Sequence, residues 1–179
     1  MAKFYKKLTP RLQSFIAKQK IFFIATAPED GRINLSPKGM DSLRVIDNNR
    51  ILWLNVTGSG NETAAHLLEN PRITIMMCSF EGAPNILRIY GKGKAIHPSD
   101  SKWNSVIGLF PETPGARQIF DIRVESAQTS CGMSIPFFDY KGEREELNVW
   151  AEEKGQKGIE DYWKEKNCIS IDGKSTGIK

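Results

Sequence analysis

Histidine and cysteine are scarce in this sequence. Its 179 residues include two histidines and three cysteines, and Cys78, Cys131 and Cys168 form no C-x-x-C pair. So few ligands argue against a zinc site, because structural zinc usually takes four of them. An odd number of widely spaced cysteines also argues against a disulfide framework. We therefore expect no bound metal, and reduced thiols in a cytoplasmic protein.

Long hydrophobic runs are also missing. No apolar stretch approaches the roughly 20 residues that a helix needs to cross a bilayer, and residues 1–20 lack the apolar centre of a signal peptide. The net charge of +4 is compatible with an anionic ligand. It is far from the dense basic stripe of a dedicated nucleic-acid binder. We expect neither a membrane nor a nucleic acid as partner.

Strand-like segments make up most of the first two thirds of the chain. They are short, rich in β-branched and aromatic residues, and separated by turn signals. One helix is predicted among them, at about 61–69, and another before them, at about 9–20. This arrangement predicts a mainly β (α+β) fold, with an antiparallel sheet that curls into a barrel. The six strand segments are 21–27, 31–39, 42–47, 50–56, 72–80 and 85–97.

The remaining part of the chain predicts further peripheral elements. Residues 99–110 have a helix pattern, 118–125 have strand composition, and 127–140 are interpreted as a connector. A helix over 143–155 ends at a glycine, and the last stretch adds another helix and a polar tail. Composition does not break anywhere, so we expect a single domain over residues 1–179, with a core at about 20–130 and a helical extension at about 140–179.

The segment NVTGSGNETAAH, residues 55–66, joins a predicted strand to a predicted helix. Ser59 and Glu62 fit the S-x-x-E capping box, which needs no ligand. The free amides and dipole of the same helix start would also suit an anion. Taken alone, the capping interpretation is the better one. The segment lacks the third glycine of a dinucleotide fingerprint, and it lacks G-K-[ST].

Two cationic residues at or near strand ends have both an ordinary and a functional interpretation. Ser36-Pro37-Lys38-Gly39 is an ordinary turn motif with a solvated lysine, or a strand end that directs Lys38 at a phosphate. Arg88 alternates with Leu87 and Ile89 and so lies on the opposite face of its strand. Arg88 is either an ordinary exposed or paired arginine, or its planar guanidinium is directed at a phosphate or at the polar edge of a ring.

Two further residues are poor candidates for covalent chemistry. Cys131 has no histidine near it in the sequence, which argues against a nucleophilic cysteine. His66 falls inside the predicted helix over about 61–69, where a hydrogen-bonded structural histidine is the better interpretation. The sequence therefore assigns no catalytic residue.

An ordered series of segments resembles a known family. The series is FIATAPEDGRINLSPKG, RILWLNVTGSGNET, ENPRITIMM and LRIYGKGKA, and it covers about residues 20–97. It resembles the pyridoxamine 5'-phosphate oxidase-like family of FMN-binding split β-barrels. The resemblance implies a six-stranded antiparallel split β-barrel and a homodimer, with FMN in a groove between the subunits.

The resemblance also implies which residues bind the cofactor. In that family, basic residues at strand ends and the loop following the tyrosine-bearing strand hold the flavin phosphate. The resemblance places Asn55 on the strand that borders the flavin and residues 59–63 in the phosphate loop. The cofactor-binding residues predicted from the motifs and the resemblance together are Ser36, Lys38, Asn55, Gly58, Ser59, Gly60, Asn61, Thr63 and Arg88.

The sequence departs from the family's named oxidases at two places. Residues 60–63 read GNET where the oxidases commonly have an Arg-Lys pair, and the tail SIDGKSTGIK lacks their arginine and tryptophan signature. The sequence therefore predicts an FMN-binding oxidoreductase with an unknown small-molecule substrate or a donor such as NAD(P)H, rather than a pyridoxamine phosphate oxidase. The alternatives that remain open are a non-catalytic flavin sensor or store, a barrel that binds single-stranded nucleic acid, and deazaflavin or haem in the same groove.

Overall fold

The chain folds into an eight-stranded antiparallel sheet with four α-helices, and the computed structural model describes residues 2–178. The predicted mainly β, antiparallel fold is confirmed. Met1 and Lys179, the end residues of the predicted domain, lie outside the described residues. The strands are β1 Lys3–Tyr5, β2 Phe22–Thr26, β3 Asn34–Lys38, β4 Leu43–Asp47, β5 Arg50–Val56, β6 Arg72–Cys78, β7 Ile86–Ile96 and β8 Ala116–Ser130. The helices are α1 Pro10–Lys18, α2 Glu62–Glu69, α3 Trp103–Val106 and α4 Glu146–Tyr162.

The strand order places β8 at the centre of the fold. Hydrogen bonds connect the strands in the order β3-β2-β6-β7-β8-β5-β4, and β1 pairs with β8 as well. Over residues 2–178 no pairing joins β3 to β4, so hydrogen bonds leave the sheet open between these two strands. Because β8 pairs with β5 along one edge and with β7 along the other, it joins the two halves of the sheet.

The core is centred on the neighbouring strands β5 and β8, which pair with each other. All five residues from Ile51 to Asn55 are buried, which indicates that both faces of β5 are covered. On the inner face the Trp53 ring stacks on Phe120 of β8, with the ring centroids 4.7 Å apart. On the outer face Leu52 and Leu54 pack in a smaller cluster with side chains from α3 and the 3-10 turn Ile107–Leu109.

The structure has eight strands where six were predicted for the barrel; it corrects three of the predicted elements and adds one. β8 continues to Ser130, so the first residues of the predicted 127–140 connector are strand. The predicted 99–110 helix is only α3 and a 3-10 turn. Gly155 has non-helical backbone angles (φ 61°, ψ 172°) inside α4, so the predicted helix end is a kink followed by more helix. Strand β1 was not predicted, because three residues are too few for a periodic pattern.

Gly91 is expected to be intolerant of a side chain. It lies in β7 opposite a β-bulge of β8, where an added Cβ would collide with the backbone oxygen of Arg123. Since backbone cannot move aside cheaply, Gly91→Ala is expected to lower the free energy of unfolding by about 1–3 kcal/mol. Chemical denaturation measures this loss. Gly108→Ala is the control, because nothing lies within 4 Å of its added Cβ, and equal losses in the two variants would contradict the expectation.

Candidate functional site

A cleft of about 490 Å³ lies between β3, β5, the first residues of β8 and the start of α2. Its size is within the range of about 300–1,000 Å³ that is usual for small-molecule and cofactor sites. It contains all the predicted cofactor-binding residues except Arg88. The predicted residues that line it are Ser36, Lys38, Asn55, Gly58, Ser59, Gly60, Asn61 and Thr63.

Arg88 lies elsewhere on the sheet. As predicted, it occupies the opposite face of β7 from the buried Leu87 and Ile89. Its guanidinium donates a hydrogen bond to the hydroxyl of Ser130 at 3.1 Å, and it is half-buried. Within a single chain, the fold does not bring Arg88 to the lining of the cleft.

The start of α2 is not a capping box, and that interpretation is wrong. The cap residue is Asn61 rather than Ser59, and no side chain makes a cap hydrogen bond there. Asn61 instead accepts a hydrogen bond from the amide of Gln118 at 2.8 Å. The Glu62 carboxylate accepts from the backbone amide of Ile171 at 3.2 Å. Both side chains therefore serve tertiary contacts rather than the helix start.

Backbone donors remain available at this helix start. The first N–H groups of any α-helix have no acceptor within the helix, and no protein acceptor within residues 2–178 pairs with the amides of residues 59–61. Two carbonyls of this loop accept hydrogen bonds from buried side chains. Asn167 donates to the Gly58 carbonyl at 3.0 Å, and Arg117 donates to the Gly60 carbonyl at 3.1 Å. The loop is thus fixed through its carbonyls, while its amides stay free to bind an anion.

Arg117, near the start of β8, is the cation at this cleft that the sequence patterns did not predict. It lines the cleft and is 3% exposed. One of its Nη atoms donates to the Asn167 side chain at 2.5 Å, and its Nε has no hydrogen-bond partner among the described residues. No carboxylate in that part of the chain pairs with it. Burial lowers the pKa of Arg117 to about 10, so the side chain is charged at neutral pH.

Lys38 brings a second positive charge to the same cleft. Burial, and then the charge of Arg117, lower the pKa of Lys38 to about 8. Its Nζ lies 5.3 Å from the centroid of the Trp53 ring, over which the ammonium is favourably placed. Two cations beside free backbone amides suit an anion that carries two negative charges, and such an anion would offset the repulsion that Arg117 exerts on Lys38.

A smaller cleft of about 180 Å³ adjoins the first one. The two share Met40, Ser42, Leu54 and Val56. Met40 has a positive φ of 59°, which is uncommon for a residue other than glycine. The smaller cleft also contains the Asn148 side chain, whose buried oxygen has no hydrogen-bond partner in the described structure. The site therefore continues past Met40 into a space that offers a hydrogen-bond acceptor.

Other kinds of site lack support within residues 2–178. No helix there has the length and apolar composition required to cross a membrane, and no group of three or more metal-ligating side chains occurs. His66 is buried, and its Nδ1 is 3.0 Å from the Thr26 hydroxyl, in agreement with a structural role. Cys131 is an exposed free thiol.

Comparison with solved structures places the fold among known proteins. A variant of HupZ from Group A Streptococcus is 18% identical, with a TM-score of 0.55 over 69% of this chain and 99% of that one. A putative pyridoxamine 5'-phosphate oxidase from Lactobacillus delbrueckii is 20% identical, with a TM-score of 0.53 over 69% and 94% of the two chains. A FAD-binding protein from Mesorhizobium loti is 12% identical, with a TM-score of 0.51 over 73% and 99%.

Comparison of sequences identifies the family. The family model for pyridoxamine 5'-phosphate oxidase matches residues 8–131, which is more than half of the chain. The pyridoxamine 5'-phosphate oxidase family protein ustO of Aspergillus flavus is 32% identical over 95% of this chain and 76% of its own length. The matched region contains every element that lines the large cleft except the start of α4. The chain therefore belongs to the pyridoxamine 5'-phosphate oxidase family.

Proposed function

We propose that this protein is an FMN-binding oxidoreductase that holds the phosphate of FMN in the large cleft. The observation that supports this most strongly is Arg117, a buried guanidinium that lines the cleft without a carboxylate partner among the described residues. Buried charges are normally paired, so an unpaired one at a cleft points to a ligand of opposite charge.

The residues present fit the cofactor. Arg117 and Lys38 would compensate the two negative charges of the phosphate, and the free amides of residues 59–61 would donate hydrogen bonds to its oxygens. Bound FMN would supply the two-electron chemistry, and the protein would bind and orient it. The smaller cleft beyond Met40 is the proposed place for a small-molecule substrate or a donor such as NAD(P)H.

Among cofactors, the cleft favours a flavin with a terminal phosphate. A phosphate monoester has a second pKa near 6 and so carries close to two negative charges at neutral pH, which matches the two cations of the cleft. The FAD-binding relative from Mesorhizobium loti has the same fold and supports a flavin. Parallel titrations with FMN, FAD and riboflavin test which flavin the cleft binds, and FMN is expected to bind most tightly.

We also propose that the protein is a cytoplasmic homodimer with the flavin at the interface. Large apolar side chains are exposed along β3 of one chain: Leu35 (65%) lies within the strand and Ile33 (77%) just before it. A second copy would cover such side chains and would bring another Arg88 into reach of a ligand. Analytical ultracentrifugation tests the dimer, and a monomer at micromolar concentration would contradict it. The three free thiols fit a reducing compartment.

The direct test of cofactor binding is reconstitution. Purified protein incubated with FMN and then passed through gel filtration is expected to keep a flavin absorbance spectrum. Protein that loses all flavin under these conditions would contradict the proposal. Reduction by NADH or NADPH, followed by reoxidation through repeated cycles, then distinguishes an oxidoreductase from a protein that only stores or senses flavin.

The lowered pKa of Lys38 predicts how FMN affinity depends on pH. Lys38 is charged below about pH 8 and neutral above it, whereas the phosphate stays dianionic from pH 7 to pH 9. FMN affinity is therefore expected to fall by about 5-fold between about pH 7 and pH 9, as the ammonium loses its proton.

Two controls isolate that effect. Lys38→Met is expected to flatten the pH profile and to bind FMN more weakly at about pH 7, because the ammonium is gone at every pH. Riboflavin lacks the phosphate, so its affinity is expected to stay level. A wild-type FMN affinity that is constant or rises over the same range would contradict the role of Lys38.

A further inference from the structure

Asn167 connects Arg117, the buried cation of the cleft, to the loop that begins at Gly58. It lies at the end of the π-helical turn Trp163–Asn167, after α4, and is fully buried. Its side-chain oxygen accepts a hydrogen bond from Arg117 at 2.5 Å, and its side-chain nitrogen donates to the Gly58 carbonyl at 3.0 Å. The side-chain amide of Asn167 therefore fixes both the guanidinium of Arg117 and the backbone of the loop at Gly58.

The segment that carries Asn167 is itself fastened to the site. The backbone carbonyl of Asn167 accepts from the hydroxyl of Thr176 at 2.5 Å and from the side chain of Asn61 at 3.4 Å. Thr176 is also fully buried. Farther along, the amide of Ile171 donates to Glu62 at the start of α2. The C-terminal segment thus packs behind the residues that line the cleft, and Asn167 is its contact with Arg117 and Gly58.

The uncharged state of Asn167 is what matters for the chemistry. A buried arginine is usually paired with a carboxylate, which satisfies its N–H groups and cancels its charge. An amide oxygen also accepts a hydrogen bond but carries no net charge. With Asn167 as partner, Arg117 is oriented while its positive charge stays available to something else in the cleft.

We propose that Asn167 is a positioning residue that orients Arg117 and the Gly58 loop and, because it is neutral, reserves the Arg117 charge for an anionic ligand. The inference rests on the proposed function where the anion is taken to be the phosphate of FMN. It goes beyond that function by assigning a role to the C-terminal segment, and it predicts that a carboxylate at position 167 is harmful although it would pair well with Arg117.

Two substitutions separate this role from a purely structural one. Asn167→Ala removes both hydrogen bonds and adds no charge, so FMN affinity is expected to fall about 10-fold. Asn167→Asp also loses the donor to Gly58, but it keeps a partner for Arg117 and cancels its charge, so FMN affinity is expected to fall about 100-fold. Because of the new ion pair, Asn167→Asp is expected to unfold at a higher temperature than Asn167→Ala. Asn167→Asp would thus be the more thermally stable of the two variants and yet bind FMN more weakly.

The opposite order would overturn the proposal. If Asn167 only supports the fold, Asn167→Asp binds FMN at least as tightly as Asn167→Ala. The exposed Asn104 of α3 provides the control, since Asn104→Asp adds the same charge away from the cleft and is expected to bind FMN like the wild type. Should Asn167→Asp fail to fold, Asn167→Ala alone decides: FMN affinity equal to that of the wild type overturns the proposal.

Inorganic phosphate distinguishes failure of this inference from failure of the proposed function. Phosphate is expected to raise the melting temperature of the flavin-free wild type more than that of Asn167→Ala, and least of all that of Asn167→Asp. If that order holds while FMN does not bind, the flavin proposal fails and the role of Asn167 stands. If FMN binds but the order of the variants is reversed, only the role of Asn167 fails. If neither ligand binds, both fail.

Discussion

Replacing Arg117 by methionine is expected to weaken FMN binding by about 100-fold, the largest effect expected for any residue that lines the cleft and equal to that of Asn167→Asp. Removing one partner of a desolvated ionic contact typically costs about 2–5 kcal/mol, and each 1.4 kcal/mol is a factor of ten. Arg117 is 3% exposed and has no carboxylate to satisfy within the described chain. Its loss would therefore remove one of the two cations proposed to compensate the phosphate, and only Lys38 would remain. Fluorescence titration of the flavin-free protein measures the change.

The control for this substitution lies on the same strand. Arg123 of β8 is an exposed arginine paired with Glu125 on the surface, so Arg123→Met changes the same side chain outside the cleft. It is expected to bind FMN like the wild type. Riboflavin is expected to bind the wild type and Arg117→Met equally, because it has no phosphate. A folded Arg117→Met protein with unchanged FMN affinity would show that the phosphate does not depend on this residue.

Replacing Phe120 by alanine is expected to have the largest effect on stability. The side chain is fully buried in the centre of β8, and its ring stacks on Trp53 across the strand pair. Deleting a buried phenyl ring leaves a cavity and costs about 3–5 kcal/mol. For a chain of this length that loss lowers the melting temperature by roughly 10 °C. Calorimetry or circular dichroism on heating measures it.

An exposed phenylalanine gives the matched comparison. Phe137 is 80% exposed, so Phe137→Ala removes the same atoms from the surface and is expected to change the free energy of unfolding by less than about 0.5 kcal/mol. Similar losses for the two variants would contradict the placement of Phe120 at the centre of the core.

The strands were predictable because their residues carry a local signal. The pattern places β5 at 50–56, which matches the observed Arg50–Val56, and it places the face of Arg88 correctly. Local signals fail where a contact with distant residues decides the structure. Residues 59–62 fit a capping box, yet Glu62 turns to the C-terminal segment because the amide of Ile171 offers it a donor.

Arg117 escaped prediction for the same reason. In the sequence it is one arginine ahead of an apolar strand, and nothing local marks it as buried. Its position follows from strand pairing, because Gln118 lies opposite Asn55 of β5 and the start of β8 therefore reaches the cleft. Its neutral partner Asn167 comes from 50 residues farther along the chain. Of the two cations that line the cleft, the sequence therefore predicted only Lys38.

The most direct measurement of the central claim is a crystal structure of the FMN-reconstituted protein. We expect the phosphate to lie within hydrogen-bonding distance, about 3 Å, of the Arg117 guanidinium, the Lys38 ammonium and the backbone amides of residues 59–61. A flavin bound with its phosphate away from Arg117 and Lys38, or FMN absent from the cleft at saturating concentration, would contradict the account.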